Sequence, residues 1–355
     1  MRTPSEKLLT LSLFAGIGPR TVLQMVEAGF DGGELGDKEG VYKKILTPAR
    51  YDACKGHMER FAIRDFLFFL AEQNVKFLTL FDEEYPYLLK QIYDPPPVLY
   101  YCGETDALQH PLLAVVGTRF MSGYGEMAIK KLLPPVIKAG LVIVSGLAVG
   151  IDAAAHHQAV TGGAPTVAVL GSGVDTASLY PRQNFQLAQE ILSNKGLLLS
   201  EYPPLTGARG EYFPRRNRII AGLAKATLVV EAAARSGSLI TACQALEQCR
   251  EILAVPGNIN QVGSVGANML LSKGAHVAQT ADDILRLYNM KDTGITRPEL
   301  TEDELKIVNL LCSEALSVNQ LTEKLSWELT QVLKNLTALE LKSVIYTAEE
   351  KYYLA

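Results

Sequence analysis

Three arginines within four positions form the densest chemical signal in the chain. Arg215, Arg216 and Arg218 open a segment of helical spacing that runs from Phe213 to Leu223. On a helix, positions 215 and 218 share one face, whereas position 216 points elsewhere. Like charges at a helix amino terminus repel each other and oppose the helix dipole, so the fold gains nothing from them. An anionic partner would remove that cost.

Aromatic residues stand beside this arginine cluster. Tyr212 and Phe213 directly precede it. Arginines pair with phosphates and aromatic rings stack on bases, which is the combination that binds single-stranded nucleic acid. The alternative is a solvated helix start whose arginines form salt bridges with Glu201 or Glu211. The sequence favours the nucleic-acid interpretation.

Glycine and small hydroxyl residues recur where each predicted strand turns into a helix. Such turns let a ligand reach the backbone, and the following helix offers free N–H groups and a positive dipole. Several of these turns on one rim, together with Arg119, Arg182 and Arg235, predict phosphate binding; tight turns alone are the alternative. The turns are Gly117-Thr118-Arg119, Ser145-Gly146, Gly171-Ser172-Gly173, Arg235-Ser236-Gly237-Ser238 and Pro256-Gly257-Asn258.

Several familiar nucleotide and catalytic motifs are absent. The chain has no G-x-x-x-x-G-K-[ST], no G-x-G-x-x-G after the first strand and no G-x-S-x-G. These absences argue against a P-loop ATPase, a dinucleotide enzyme and an α/β-hydrolase. Asp152 and His156 have the spacing to share a metal, but no third ligand stands nearby, so a core role is favoured. We therefore expect no cofactor and no metal.

Length and composition limit the class of protein. The chain has 355 residues, 48% of them hydrophobic, and a net charge of −4, which excludes disorder as the main state and leaves room for two or three domains. Five cysteines without a C-x-x-C pair indicate free thiols in a reducing compartment. No apolar run reaches the length of a membrane span, and the start of the chain lacks a signal-peptide cleavage site. The sequence predicts a cytoplasmic protein without membrane association.

The middle of the chain predicts the domain that positions these turns and arginines. Across 111–290, six apolar runs alternate with helix-like stretches, as in a doubly wound, Rossmann-like α/β domain whose parallel sheet is covered on both faces. This segment carries 15 Lys and Arg against 11 Asp and Glu, whereas 1–110 and 291–355 each carry a net −4. A polyanion is therefore expected to bind the middle segment. The six runs are Leu113–Val116, Leu141–Val144, Thr166–Leu170, Leu197–Leu199, Thr227–Val230 and Ile252–Val255.

The two flanking segments predict smaller domains. Residues 1–110 have helical spacing, and the turn Gly16-Ile17-Gly18-Pro19 resembles a helix-hairpin-helix, although a plain helical corner needs the same glycines. A stiff Asp94-Pro95-Pro96-Pro97 connector follows. A polar linker is expected at 291–298. Residues 299–355 predict three helices and a β-hairpin, a winged-helix-like layout whose third helix is too acidic for DNA recognition, so a protein-contact or packing module is favoured.

Taken together, these motifs resemble the DNA processing protein A (DprA/Smf) family. The similarity covers most of the chain. It implies an extended Rossmann-like, mostly parallel sheet with a helical N-terminal domain and a C-terminal winged-helix-like domain. It also implies a DNA-binding protein without enzymatic turnover, which protects single-stranded DNA in natural transformation, loads the RecA recombinase onto it and forms a homodimer through the core. The strongest matches are Val116–Arg119, Ser145–His156, Leu170–Asn184, Ser200–Pro204, Phe213–Leu223, Glu231–Thr241 and Pro256–Ala275.

The resemblance also implies which residues contact DNA. In this interpretation arginines pair with phosphates, glycine amides cradle them, and Phe213 either stacks on a base or packs the loop. Lys225 is expected on the same face. Carried over by motif position, the other contacts are Gly117, Thr118, Arg119, Ser145, Gly146, Phe213, Arg215, Asn217, Arg218, Arg235, Ser236, Gly237 and Ser238.

An enzyme is the main alternative. The core is also similar to nucleotide phosphoribohydrolases of the lysine-decarboxylase-like group, which cleave N-glycosidic bonds with a P-G-G-x-G-T motif and a glutamate close behind it. The equivalent stretch, Arg235–Gln244, has no carboxylate before Glu247, and hydrolysis needs an acid or base within reach of the bond. Glu231 is expected to cap a neighbouring loop instead. A transcription factor that uses the winged helix is disfavoured by the charge of that helix.

Overall fold

Short apolar strands alternate with helices through the middle of the chain and form one nine-stranded sheet. Its strands are β1 (Lys76–Thr79), β2 (Val98–Gly103), β3 (Leu112–Val116), β4 (Val142–Ser145), β5 (Thr166–Val169), β6 (Leu197–Ser200), β7 (Ala226–Val229), β8 (Glu251–Ala254) and β9 (His276–Val277). The six predicted runs are confirmed as β3 to β8, with ends that agree within one residue. These strands are buried on both faces, which is why they appear in the sequence as continuous apolar runs.

The strand order makes the sheet doubly wound. It is β1-β2-β6-β5-β4-β3-β7-β8-β9, and β3 to β9 all run parallel. The chain winds outward from β3 to β6, then returns to the other side of β3 and continues through β7 to β9. β2 and β1 extend the sheet beyond β6 in antiparallel pairs. The mostly parallel α/β fold that the sequence predicts is confirmed.

Helices cover both faces of this sheet. They are α1 (Pro4–Ser12), α2 (Pro19–Glu27), α3 (Glu39–Ile45), α4 (Pro48–Arg60), α5 (Ile63–Glu72), α6 (Tyr87–Lys90), α7 (Gly123–Lys138), α8 (Ile151–Thr161), α9 (Phe185–Ser193), α10 (Tyr212–Leu223), α11 (Gly237–Glu247), α12 (Val265–Ser272) and α13 (Ala281–Leu287). Alternate residues of β3 point to opposite layers. Leu113 and Val115 pack with α7, α8 and α13, whereas Ala114 and Val116 pack with α10, α11 and α12.

The first 110 residues are more closely joined to the sheet than the sequence predicts. The predicted helices are present, and Gly18 is the N-cap of α2. The segment also supplies β1 and β2, and Leu8 of α1 shares a hydrophobic cluster with Val144 of β4. The prediction of a separate helical domain missed these two strands because they lie outside the alternating strand–helix segment and β2 directly follows the Pro95–Pro97 stretch, which resembles a spacer in the sequence.

The structure, a computed structural model, describes residues 2–291, 300–312, 314–342, 344–348 and 351–354. It divides into two compact units, Met1–Asp292 and Thr293–Ala355. Apart from Lys291, the predicted linker at 291–298 lies outside the described residues. Within those residues, no helix combines the length and the apolar character that crossing a membrane requires.

The smaller unit has the predicted order of elements. It contains α14 (Glu302–Leu311), α15 (Val318–Leu325), α16 (Leu329–Leu341), and the hairpin strands β10 (Ile345–Ala348) and β11 (Lys351–Leu354). Ile307, Leu321, Val332 and Ile345 belong to its own hydrophobic core. Three helices and a hairpin are thus confirmed, while the winged-helix assignment stays a prediction.

Candidate nucleic-acid interface

A crevice opens where the strand order reverses. β3 lies between β4 and β7, and the helices that follow β3 and β7 leave the sheet on opposite faces. Ligands of open α/β sheets bind at such a switch point, outside the carboxyl ends of the strands. The cavity measures about 610 Å³ and is bounded by residues 117–120 after β3, the first turns of α10 and residues 233–238 after β7.

Nine of the predicted contact residues line this crevice. Arg119 and Arg235 are both exposed, so their guanidinium groups are open to an incoming ligand. The sheet order brings their loops together although they are far apart in the sequence. The nine residues are Gly117, Thr118, Arg119, Phe213, Asn217, Arg235, Ser236, Gly237 and Ser238.

The amino terminus of α11 faces the crevice. Ser236 is its N-cap, and the Ser236 hydroxyl accepts from the Ser238 N–H at 3.4 Å. The first amides of a helix have no partner within the helix and carry the positive end of its dipole. No atom lies within 4 Å of the point where a Gly237 Cβ would stand, so an anion can reach this backbone.

Arg216 forms the floor of the crevice. It is 4% exposed, and its Nη1 donates to the carbonyl oxygens of Gly146, at 2.7 Å, and Val169. Burial lowers the pKa of Arg216 to about 10, and the carboxylate of Asp152 acts against that shift. The prediction that this arginine points away from its two neighbours is confirmed.

Asp152 completes this floor from the first turn of α8. It is 8% exposed, and burial raises its pKa to about 6, while Arg216 and the Ala148 and Gly146 amides act against the rise. Gly146 must lack a side chain, because a Cβ would stand 2.6 Å from Arg216 Nη2 and 2.7 Å from Asp152 Oδ2. Arg216 therefore joins the carboxyl ends of β4 and β5 beneath the crevice, with the Asp152 carboxylate close by.

Ser145 and Gly146 belong to this buried layer and not to the crevice wall. The Ser145 hydroxyl donates to the Val115 carbonyl at 2.6 Å, and its residue is fully buried. Both positions were expected to contact a ligand directly. In the structure they support Arg216 and β3 from below.

Arg218 faces away from the crevice and is already paired. Its side chain is 11% exposed, its Nε lies 3.2 Å from Asp94 Oδ2, and its Nη2 lies 2.5 Å from Glu201 Oε2. Burial raises the pKa of Glu201, and Arg218 acts against that rise. The salt bridge to Glu201 proposed as the alternative interpretation is therefore present. Arg215 is exposed, but it does not line the crevice either.

Two further basic residues stand apart from the crevice. Lys225 directly precedes β7, at the amino-terminal edge of the sheet, where it donates to the Leu287 carbonyl and lies 5.7 Å from the Tyr288 ring centre. The expectation that Lys225 shares the face of the glycine turns is wrong. Those turns follow the carboxyl ends of the strands, whereas Lys225 lies at the amino-terminal end of β7. Arg182 donates to the carbonyls of Thr176 and Ala177 and closes its own loop.

Glu231 is committed to a structural role. It is 2% exposed, and its carboxylate accepts from the Ser122 N–H at 3.0 Å and the Ser122 hydroxyl at 2.5 Å. Its backbone carbonyl accepts from the Thr118 N–H at 2.8 Å. The expectation that Glu231 caps a neighbouring loop is confirmed. The Glu231 carboxylate is thus buried and engaged by Ser122.

Several residues that line the crevice were not predicted from the sequence, among them Phe120, Asp152 and Arg216. The burial of Arg216 could be predicted, since position 216 lies on the same helix face as Ile220 and Leu223, which are buried. Phe120 carried a weaker signal, as an aromatic residue within a turn that otherwise favours small ones.

Cysteine and histidine side chains are the other groups in the described part of the chain that could carry chemistry. All five cysteines are free. His156 is fully buried with its Nδ1 2.8 Å from Thr166 Oγ1, and burial lowers its pKa to about 3, so its predicted core role is confirmed. Within the described ranges, no three His, Cys, Asp or Glu side chains are grouped to hold a metal.

Comparison with known proteins identifies relatives of this arrangement. The model of the family "DNA recombination-mediator protein A" matches residues 76–289. DNA processing protein DprA of Streptococcus pneumoniae is 38% identical over 277 residues, which cover 76% of this chain and 94% of that protein. Protein Smf of Escherichia coli is 37% identical over 293 residues, covering 79% and 78%.

Two solved structures are similar to this fold. The X-ray structure of DprA from Streptococcus pneumoniae has a TM-score of 0.70 and 34% identity, covering 81% of this chain and 98% of that one. DprA of Helicobacter pylori, whose structure was described for its single-stranded DNA binding mode, has a TM-score of 0.54 and 30% identity, covering 62% and 99%. With the motifs, the sheet order and these matches in agreement, the chain belongs to the DNA processing protein A (DprA/Smf) family.

Proposed function

We propose that this protein binds single-stranded DNA in the crevice between the β3 and β7 loops. The observation that carries the proposal is the meeting of Arg119 and Arg235 with the amino terminus of α11 at the switch point of the sheet. Two open guanidinium groups and the positive end of a helix dipole suit the phosphates of a nucleic acid backbone. The Helicobacter pylori relative, described for its single-stranded DNA binding mode, supports the same ligand.

Single strands fit this crevice better than duplexes do. The walls are loops only a few residues long on either side of a cavity of about 610 Å³. A flexible strand can bend into it and turn its bases toward the wall, whereas a duplex is stiff and keeps its bases stacked inside.

Titration of matched single-stranded and duplex oligonucleotides at equal salt tests this function. We expect the single strand to bind tighter by about tenfold or more, because at least one base contact is lost in a duplex. The affinity should also fall steeply as salt rises, since phosphate pairing releases counterions. Equal affinity for the two forms would contradict the proposal.

The affinity should rise as the pH falls through about 6. Asp152 has a pKa raised to about 6 and lines the crevice, so it is mostly ionised above that pH and mostly neutral below it. An ionised carboxylate repels phosphate and offsets part of the positive charge of Arg216, so protonation favours the anion on both counts. The gain is limited to about tenfold per pH unit for one proton.

The matched control for this pH effect is Asp152→Asn. The variant keeps the shape of the side chain and cannot ionise, so the difference between it and the parent protein isolates Asp152 from other titrating groups. We expect the affinity of the parent protein to rise more steeply as the pH falls through about 6 than the affinity of Asp152→Asn does. Parallel pH profiles of the two proteins would show that Asp152 does not face the bound phosphate.

Family membership supports the cellular role that we propose. The family is described as a DNA recombination mediator, which supports protection of incoming single strands and loading of RecA in natural transformation. The rate at which RecA coats single-stranded DNA, with and without this protein, tests the loading step. Five free cysteines suit the cytoplasm, where we place this activity.

The proposal includes no turnover and a homodimer through the core. With Glu231 buried and bonded to Ser122, incubation with nucleotides should release neither base nor phosphate. β9 is an unpaired edge of the sheet with Val277 46% exposed, which supports self-association there. Sedimentation equilibrium measures the oligomeric state.

We propose a protein-contact or packing role for the smaller unit. Its third helix carries few cations, and Lys342 at its end bonds Glu304 at 2.7 Å. A DNA-recognition helix needs cations that are open to phosphate. Removal of this unit should leave the affinity for single strands nearly unchanged, and a large loss would assign it a DNA-binding role.

A further inference from the structure

Phe120 is an exposed aromatic residue at the rim of the crevice. Its side chain is 92% exposed, and it follows Arg119 in the loop after β3. Burying a phenylalanine stabilises a fold, so the fold forgoes that gain at this position. A single exposed aromatic is ordinary on a protein surface, and only its surroundings can assign it a role.

The loop that presents Phe120 is held on both sides. The Phe120 N–H donates to the Thr118 hydroxyl at 3.1 Å, and the Ser122 N–H and hydroxyl both donate to Glu231. Met121, between them, packs against the hydrophobic core. The ring is therefore presented by an anchored backbone, so that a ligand need not order this loop when it binds.

The other aromatic residue of the crevice, Phe213, is far more crowded. It is half-buried, its ring centre lies 5.7 Å from Arg119 Cζ and 5.9 Å from Arg216 Cζ, and the Tyr180 ring centre is 5.7 Å away. Much of its surface is thus in use within the protein. Phe120 is the aromatic residue of the crevice whose ring is open to solvent.

We propose that Phe120 is a base-stacking platform, which holds one nucleobase beside the phosphate bound by Arg119. This inference rests on the proposed binding of single-stranded DNA. The neighbours of the ring decide between a base and a protein partner. Its neighbours in the loop, Arg119, Ser122 and Gly123, are exposed and not apolar, whereas a protein interface would need a continuous apolar patch. A cation next to an open ring suits a nucleotide, and stacking accepts every base.

The test compares a short labelled oligothymidylate with an abasic strand of the same length. Phe120→Ala should weaken binding of oligothymidylate about tenfold and leave binding of the abasic strand unchanged. Phe120→Trp should retain the affinity, and its added fluorescence should be quenched by the bases, with the parent protein and its single tryptophan, Trp327, as the reference. The matched control is Phe68→Ala, because Phe68 is 66% exposed on α5 and does not line the crevice.

The outcomes separate this inference from the function on which it rests. If Phe120→Ala binds oligothymidylate like the parent while Arg119→Ala binds weakly, the crevice holds DNA and the stacking role is wrong. If Phe120→Ala weakens binding of the oligothymidylate and of the abasic strand by the same factor, the residue shapes the loop and does not hold a base. If the parent binds neither strand, the proposed function itself fails.

Discussion

Replacing Arg119 and Arg235 together with alanine is expected to lower the affinity for single-stranded DNA by about a hundredfold or more. Each charge-assisted hydrogen bond to phosphate contributes about 1.5–3 kcal/mol, and the two residues come from separate loops of the same crevice. The slope of log affinity against log salt should also fall by about 1.4, since each single-strand phosphate contact contributes about 0.7. Salt titration of the parent protein and of the double variant on one oligonucleotide measures the affinity and the slope.

The control for this prediction removes the same charge elsewhere. Lys130 of α7 and Arg286 of α13 have side chains 61% and 75% exposed, and neither lines the crevice. Their double replacement by alanine should change the affinity little, because only the long-range field is altered. If the two double variants bind alike, general positive charge and not the crevice holds the DNA.

Replacing Arg216 with methionine is expected to destabilise the larger unit by about 3–5 kcal/mol. The change removes the cation that offsets the buried charge of Asp152, and it removes the donor from the Gly146 and Val169 carbonyls. Chemical denaturation followed by circular dichroism measures the free energy of unfolding.

The neighbouring arginine provides the matched control. Arg215→Met, at an exposed position of the same helix turn, should change the free energy of unfolding by no more than about 0.5 kcal/mol. Adding Asp152→Asn to Arg216→Met should recover part of the loss, because the unpaired charge is then removed. A loss below about 1 kcal/mol for Arg216→Met would mean that the pair does not hold the floor of the crevice.

Elements whose residues all point into the core were predictable from sequence. β3 to β8 are buried on both faces, so their apolar runs marked them within one residue. β1 and β2 were missed because they add to the sheet in antiparallel pairs, outside the alternating strand–helix pattern, and the β6 partner of β2 is distant in the sequence. β2 pairs with β6, and nothing in residues 98–103 alone indicates that contact.

The candidate site was predictable to the extent that local motifs define it. The glycine turns marked the crevice loops, because a close backbone approach requires small residues wherever the loop lies. Whether a basic residue lines the crevice depends instead on partners that are distant in the sequence. Arg218 is held by Asp94 and Glu201, and Lys225 lies at the amino-terminal edge of β7, which helix periodicity could not reveal. Motif position thus indicated which basic residues are candidate contacts, and the fold determines which of them line the crevice.

Photocross-linking tests most directly the claim that the switch-point crevice binds single-stranded DNA. An iodouracil-substituted oligothymidylate is irradiated with the full chain at low salt, and the modified peptides are identified by mass spectrometry. We predict cross-links in residues 117–120 and in the first turns of α10, where Phe120 and Phe213 line the crevice. Cross-links confined to the smaller unit, or to the amino-terminal edge of the sheet near Lys225, would contradict the account.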